Sequence, residues 1–258
     1  MKKNFLVLAA ALTCAVSLAA CGGSKKEEAA AGGTLKLVTN AEFPPYEYHD
    51  SAVTGPAGND IVGIDIEIGA AVAEKMGKTL EIEDIAFDSI IPELQSGKAD
   101  IGLAGMTVTE DRKQNVDFSE TYATAVQSII VTKDSDIAGP DDLAGKKIGV
   151  QQGTTGDIFA SDDFGDENVE RYPKGVDAVQ ALVQGKIDAV IIDHEPAKVF
   201  AGDNDSLVLL DTAYAEEEYA IAVKKGNTEL LDQVNAALKE LKDSGKLDEI
   251  VAKYITAE

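Results

Sequence analysis

Cysteine is almost missing from this 258-residue chain, and the two present, Cys14 and Cys21, both fall within the first 21 residues. Residues 22–258 therefore offer no thiol, which excludes disulfide stapling, thiolate catalysis and cysteine-ligated metal there. Histidine is equally scarce, with His49 and His194 alone available for imidazole chemistry. Basic side chains are outnumbered, 23 Lys and Arg against 46 Asp and Glu, for a formal charge of -23. A field of that sign repels nucleic acid and disfavours a basic-patch contact with anionic lipid, so a nucleic-acid partner is excluded. Beyond the first twenty residues no apolar run is long enough to span a bilayer. The GTTG stretch at 153–156 lacks the lysine and the spacing of a phosphate loop, so nucleotide binding is rejected. Neither a metal nor a cofactor is expected.

What is present begins with Lys2 and Lys3, an apolar run over 5–12, and small residues leading to LAAC at 18–21. A charged start, an apolar stretch and a small-residue end form an export signal rather than a membrane span. The LAAC end resembles the bacterial lipobox, which implies that Cys21 is lipidated, with palmitate among its acyl chains, and becomes the first mature residue. Two or more acyl chains hold a protein firmly on a bilayer. Residues 1–20 are thus expected to be a lipoprotein signal peptide and 21–33, without apolar periodicity, a flexible tether. Residues 1–20 contain two lysines and no acid, so the formal charge of -23 becomes -25 without them.

The body alternates strand-like and helix-like segments. Alternation over 34–39 predicts a first strand ending at Asn40, followed by AEFPPYEY (41–48), which two prolines bar from helix and which reads as a rigid loop with Phe43 toward a pocket. Ile64, Ile68, Val72 and Met76 recur at four-residue spacing, giving a helix with Asp65 as N-cap and Gly77 after its end. LQSGKADI (94–101) is echoed by LVQGKIDA (182–189), each a helix, a terminating glycine and a strand. The strands deliver Thr107 and Asp193. Two such α/β patterns on either side of a strand near Gln127 imply two lobes, and the helical segment 228–255, broken at Gly245, packs on the first.

The chemistry centres on AGMTVTEDR (104–112). A strand ends here and a helix capped by Thr109 begins, leaving backbone groups unpaired around a glycine, threonine hydroxyls and Arg112. An arginine fork fits a carboxylate bidentately, and Gly105 permits close approach to the backbone. The loop at 153–156 again offers hydroxyls and free N–H groups at a helix start, an arrangement that suits an anion.

These segments, with GIDIEIGAAVAEKM (63–76), FDSIIP (87–92), DFS (117–119) and DAVIID (188–193), together resemble the polar amino-acid-binding proteins of ABC importers, solute-binding family 3, with the type-II periplasmic-binding-protein fold. The resemblance covers nearly all of the body from Leu35. It implies an α/β protein of two lobes, 34–124 plus 219–258 and 125–218, joined by two crossover strands that act as a hinge. It implies a monomeric, extracytoplasmic lipoprotein that captures a free amino acid for the permease subunits of an ABC transporter. By position, Arg112 with the N–H groups of Thr107 and Thr155 would take the α-carboxylate, with Ala104 and Thr154 alongside. Asp193, the Gly105 carbonyl and the Thr107 hydroxyl would take the α-ammonium. Phe43 and Phe87 would sandwich the side chain, and Asn40 and Gln151 would meet its distal end.

Asn40 departs from relatives that select cations, which often have aspartate there, so glutamine, cystine and the basic amino acids all stay open. A few members of this fold are cyclohexadienyl or arogenate dehydratases, which need a general acid in the cleft; His194, beside Asp193, is the candidate. The lipid anchor favours delivery to a transporter and no catalytic residue is expected. A sensory lipoprotein that presents its ligand to a receptor is the third reading.

Overall fold

The computed structural model describes residues 32–255. The expected signal peptide, Cys21 and most of the tether lie outside the described residues. In chain order the elements are β1 (Thr34–Thr39), β2 (Glu42–Phe43), β3 (Glu47–His49), β4 (Ile61–Val62), α1 (Ile64–Lys75), β5 (Thr79–Asp84), α2 (Ile90–Ser96), β6 (Ile101–Gly102), α3 (Glu110–Asn115) and β7 (Val116–Thr132). They continue as β8 (Ile148–Gln151), α4 (Thr155–Phe164), β9 (Val169–Tyr172), α5 (Gly175–Val183), β10 (Ala189–Asp193), α6 (His194–Gly202), β11 (Leu207–Leu209), β12 (Ala215–Lys224), α7 (Thr228–Asp243) and α8 (Lys246–Tyr254).

Strand β1 lies parallel between β5 and β6, with Leu35, Leu37 and Val38 buried. Its branched residues suit a sheet covered on both faces. Helix α1 buries Ile64, Ile68 and Val72 as the four-residue spacing requires. Asp65, however, is not its cap. Gly63 holds that position without a side-chain bond, and Asp65 turns inward to accept from the Gly105 N–H at 2.8 Å and the Tyr122 hydroxyl at 2.7 Å. Two good donors in the interior outweigh one orphan N–H at a helix start. Helix α2 ends at Gly97 in the left-handed conformation, which turns the chain directly into β6.

The segment 41–48 is also not a plain loop. Strands β2, β3 and β4 form a small antiparallel sheet in which Phe43 faces Glu47 and Tyr48 faces Val62. The larger difference from expectation is β7, a single 17-residue strand beginning at Val116 rather than near Gln127. It pairs antiparallel with β12 from Val116 against Lys224 to Gln127 against Ala215, with register shifts around Ala220. The main sheet runs β5-β1-β6-β12-β7-β10-β8-β9, with β11 also on β7. Both long strands therefore pass from the β5-β1-β6 group to the β10-β8-β9 group. This is the two-lobed α/β arrangement, with β7 and β12 as its crossovers. Helices α7 and α8 pack on α1, and Gly245 at φ +74° breaks them from each other.

Gly63 has φ +132°, and a Cβ there would fall 2.1 Å from the Tyr46 carbonyl oxygen. Gly63→Ala is expected to cost about 3 kcal/mol in urea unfolding, through backbone strain and displacement of the 41–48 segment. A loss below about 1 kcal/mol would show that this turn relaxes freely.

Candidate functional site

Strand β6 ends at Gly102, and the turn after it carries Ala104, Gly105 and Thr107, which are buried. Gly105 has φ +52°, and a Cβ there would lie 2.8 Å from the Phe43 ring. Phe43 can rest on bare backbone because that side chain is absent. Thr107 forms an isolated bridge with Tyr219 of β12, which fixes the turn to the crossover. Thr109 accepts from the Arg112 N–H at 3.1 Å and starts α3. That cap aims Arg112 inward, where it is only 7% exposed. Its Nη1 donates to the Thr107 carbonyl at 2.8 Å, and its guanidinium lies 5.3 Å from the Phe87 ring centre. Such stacking is the favoured cation–π geometry.

The second lobe approaches with the ends of β8 and β10. Strand β8 ends at Gln151, whose Nε2 donates to the Asn40 side-chain oxygen at 2.8 Å. Thr154 caps α4 by accepting from the Asp157 N–H at 3.3 Å, leaving first-turn N–H groups such as that of Thr155 without helical acceptors. The Gly153 carbonyl takes a 3.1 Å bond from Arg112 Nη2, and the Thr107 and Thr155 hydroxyls lie 3.5 Å apart. Asp193 ends β10 and makes no capping bond to α6. Its carboxylate accepts instead from the Tyr219 hydroxyl at 2.5 Å.

These side chains line one narrow cleft. All eleven non-covalent site residues expected from the sequence border it: Asn40, Phe43 and Phe87; Ala104, Gly105, Thr107 and Arg112; and Gln151, Thr154, Thr155 and Asp193. Asp65 does not, although its bond to Gly105 places it directly behind the wall. The histidines lie elsewhere. His49 sits between Asp60 and Asp84 at 3.2 and 3.3 Å, and His194 Nδ1 is 3.0 Å from the Ser128 hydroxyl. Among the described residues no cluster of His, Cys, Asp and Glu could hold a metal.

Glu47 is the lining residue the sequence reading missed. Read as a loop, 41–48 gives no facing pattern; as a hairpin in which Phe43 pairs with Glu47, the two are neighbours on the same wall. Glu217 and Gln127 were also missed as supports. The Glu217 carboxylate accepts from the Thr107 hydroxyl at 2.9 Å and from Gln127 Nε2 at 3.0 Å.

Two carboxyls, Glu47 and Asp193, and one guanidinium, Arg112, line the cavity, with Asp65 and Glu217 behind them. Burial, reinforced by Glu217, pushes the Asp193 carboxyl up to about 7, while the Tyr219 and Gln127 donors oppose the rise. Burial lifts Asp65 to about 6 despite its two donors. Burial, then Asp65, holds Glu47 well above the usual carboxylate range. Arg112 is pulled down by burial and supported by Glu217 and Asp193. Asymmetric charge of this kind, enclosed in a cleft, fits a ligand that brings positive charge.

Asp193 keeps its proton up to about pH 7 when folded and loses it near 3.8, its ordinary value, when unfolded. Between those values the native state binds the extra proton, so this group's contribution to stability falls as pH rises. Asp193→Asn is expected to remove that part of the decline, melting several degrees above the wild type at pH 8 in ligand-free thermal scans. At pH 4 the two should nearly coincide. Parallel pH profiles would contradict the assignment.

A sequence profile of the bacterial extracellular solute-binding proteins, family 3, matches residues 35–257. The chain is 37% identical over 264 residues to the arginine-binding extracellular protein ArtP of Bacillus subtilis (strain 168), covering 100% of each. A mutant of ArgBP from T. maritima superposes with a TM-score of 0.81 at 41% identity, covering 87% of this chain and 96% of that one. An ancestral arginine-binding protein bound to glutamine superposes with a TM-score of 0.81 at 39% identity, covering 87% and 99%.

Proposed function

The chain belongs to the bacterial extracellular solute-binding proteins, family 3, and from that premise we propose that it captures a polar amino acid, arginine first, between its lobes and delivers it to an ABC transporter permease. It is an extracytoplasmic amino-acid-binding protein of an ABC transporter and not an enzyme. The cavity gives each part of an α-amino acid a partner. Arg112, with the N–H groups of Thr107 and Thr155, receives the α-carboxylate. Asp193, the Gly105 carbonyl and the Thr107 hydroxyl receive the α-ammonium. A zwitterion leaving water needs both, because an unpaired buried charge costs several kcal/mol.

The observation that carries the reading is the opposition of Arg112 and Asp193 across one enclosed space, each from a different lobe. A ligand held at both ends joins the lobes, and the crossovers in β7 and β12 are where they hinge. We place the boundaries within those strands, at 34–124 plus 219–258 and at 125–218. Phe43 and Phe87 flank the aliphatic part of the ligand. Its distal end meets Asn40 and Gln151, with Glu47 adding an acid that position 40 does not supply. The excess of carboxyls over guanidinium favours a cationic side chain, and the named arginine-binding relatives agree with it. The Asn40–Gln151 amide pair supports a second reading, glutamine, since an amide can replace either partner in that bond. The lipid anchor at Cys21 would keep a monomer beside the permease on the outer face of the membrane.

Thermal-shift screening of the mature body against the amino acids is the test. At a hundredfold excess over Kd, arginine should stabilise by about 2.7 kcal/mol, roughly 5–10 °C. No shift with any amino acid would end the reading, and a shift confined to glutamine would select the second. Arg112→Ala should lose about 3 kcal/mol or more of binding, roughly a hundredfold, in calorimetry while its ligand-free melting temperature holds. Retained affinity would remove Arg112 from the carboxylate role.

A further inference from the structure

Asp157 and Arg171 do not border the cavity, yet they hold the turn that does. The stretch TTGD (154–157) has the spacing of a helix capping box. Thr154 accepts from the Asp157 N–H at 3.3 Å, and Asp157 Oδ2 reaches back to accept from the Gly153 N–H at 3.0 Å, one residue earlier than in the usual box. Gly153 is the point where this turn meets the facing wall. Its φ is +78°, a Cβ there would lie 3.1 Å from that of Asp88, and its carbonyl takes the bond from Arg112 Nη2. Beside it Gln152 Nε2 donates to Asp88 Oδ2 at 2.9 Å. By fixing Gly153, the Asp157 carboxylate also fixes where the first N–H groups of α4 point, that of Thr155 among them.

That carboxylate carries a conflict. A negative charge in the first turn of a helix suits the helix dipole, but it repels a second anion brought to the same N-terminus. Asp157 is only 7% exposed, so water and salt screen it little. Arg171, arriving from β9, covers its other oxygen. Its Nε donates to Asp157 Oδ1 at 2.8 Å and its Nη2 to the Ser161 hydroxyl, also of α4, at 2.8 Å. Arg171 meets Asp166 as well, at 2.6 Å, but that carboxylate stands in solvent and is screened there. The buried acid therefore keeps its hydrogen bond to Gly153 while the guanidinium against it offsets its charge.

We propose that Arg171 is a positioning residue for the α-carboxylate: by neutralising Asp157 it lets that side chain anchor the turn at Gly153 while the N-terminus of α4 stays open to the ligand's own carboxylate. The inference rests on the amino-acid reading of the cavity, in which the Thr155 N–H takes the carboxylate, and adds a pair of residues that touch no ligand. Its mark is selectivity. Loss of the Arg171 charge should harm a ligand that brings a carboxylate and spare one that does not.

The probes are arginine and agmatine, which lacks the carboxylate, and each variant is read by the ratio of their affinities in competition calorimetry. With glutamine as the ligand, 4-aminobutanamide takes the place of agmatine. Arg171→Gln leaves Asp157 uncompensated and should weaken arginine about tenfold while agmatine binds no more weakly than to the wild type. Adding Asp157→Asn, which keeps an acceptor for the Gly153 N–H without the charge, should return arginine to within about threefold of the wild type. A merely structural loss would weaken both ligands alike, and the second substitution would not repair it. Unchanged arginine affinity in Arg171→Gln, equal losses for the two ligands, or no recovery in the double variant overturns the inference while leaving amino-acid binding intact. If Arg171→Gln does not fold, Asp157→Asn decides alone: its preference for arginine over agmatine should match or exceed that of the wild type, and a drop of about tenfold overturns the inference. A wild type that binds no amino acid removes the underlying reading, and one that binds agmatine as tightly as arginine removes the carboxylate contact itself.

Discussion

The antiparallel ladder between β7 and β12 is the constraint on which the site depends. Neither strand belongs to one lobe. Because β12 sits beside β6 at one end and β7 sits beside β10 at the other, the ends of β6 and β10 are brought toward a common space. Tyr219 marks the centre of this arrangement and is fully buried. Its backbone bridges Thr107, its hydroxyl donates to Asp193, and its ring packs edge-on against Tyr46. One crossover residue thus touches Asp193 on one side of the cavity and the wall behind Phe43 on the other.

Electrostatics then gives the assembled space its chemistry. A burial large enough to raise three carboxyls is normally a cost to stability, repaid when a partner of opposite charge arrives. The donors around Asp65 and Asp193 hold each carboxyl in one orientation, so little reorganisation accompanies binding. Arg112 is held in the same way, by two carbonyls from different lobes and the face of Phe87. Its two carbonyl bonds are of the kind a carboxylate can replace with stronger, charge-assisted ones. On the proposed reading the common part of an α-amino acid would be held by these rigid groups, whereas the side-chain end would meet the amides Asn40 and Gln151 and the acid Glu47.

The general plan was legible in the sequence because its signals are local. A cap at Thr109, glycines at helix ends and a strand terminus before Thr107 and Asp193 are each decided within a few residues, and together they located the cavity wall. What escaped was non-local. Asp65 reads as a cap until its inward partners, 40 and 57 residues away, are known. Glu47 reads as loop until β2 and β3 pair. Strand β7 begins eleven residues earlier than expected because Asp117, Ser119 and Glu120 break the apolar alternation. The partner β12 supplies the order that the pattern does not. Glu217 and Gln127 were invisible as supports for the same reason, since Glu217 meets Thr107 from 110 residues away and Gln127 meets Glu217 from 90.

The central claim is that opposite charges from two lobes clamp the two ends of an α-amino acid. Competition calorimetry with arginine, agmatine and N-acetyl-arginine addresses it directly, since agmatine lacks the carboxylate and N-acetyl-arginine lacks the ammonium. Each should bind at least about a hundredfold more weakly than arginine, because each leaves one buried charge unpaired. Agmatine or N-acetyl-arginine binding as tightly as arginine would contradict the account.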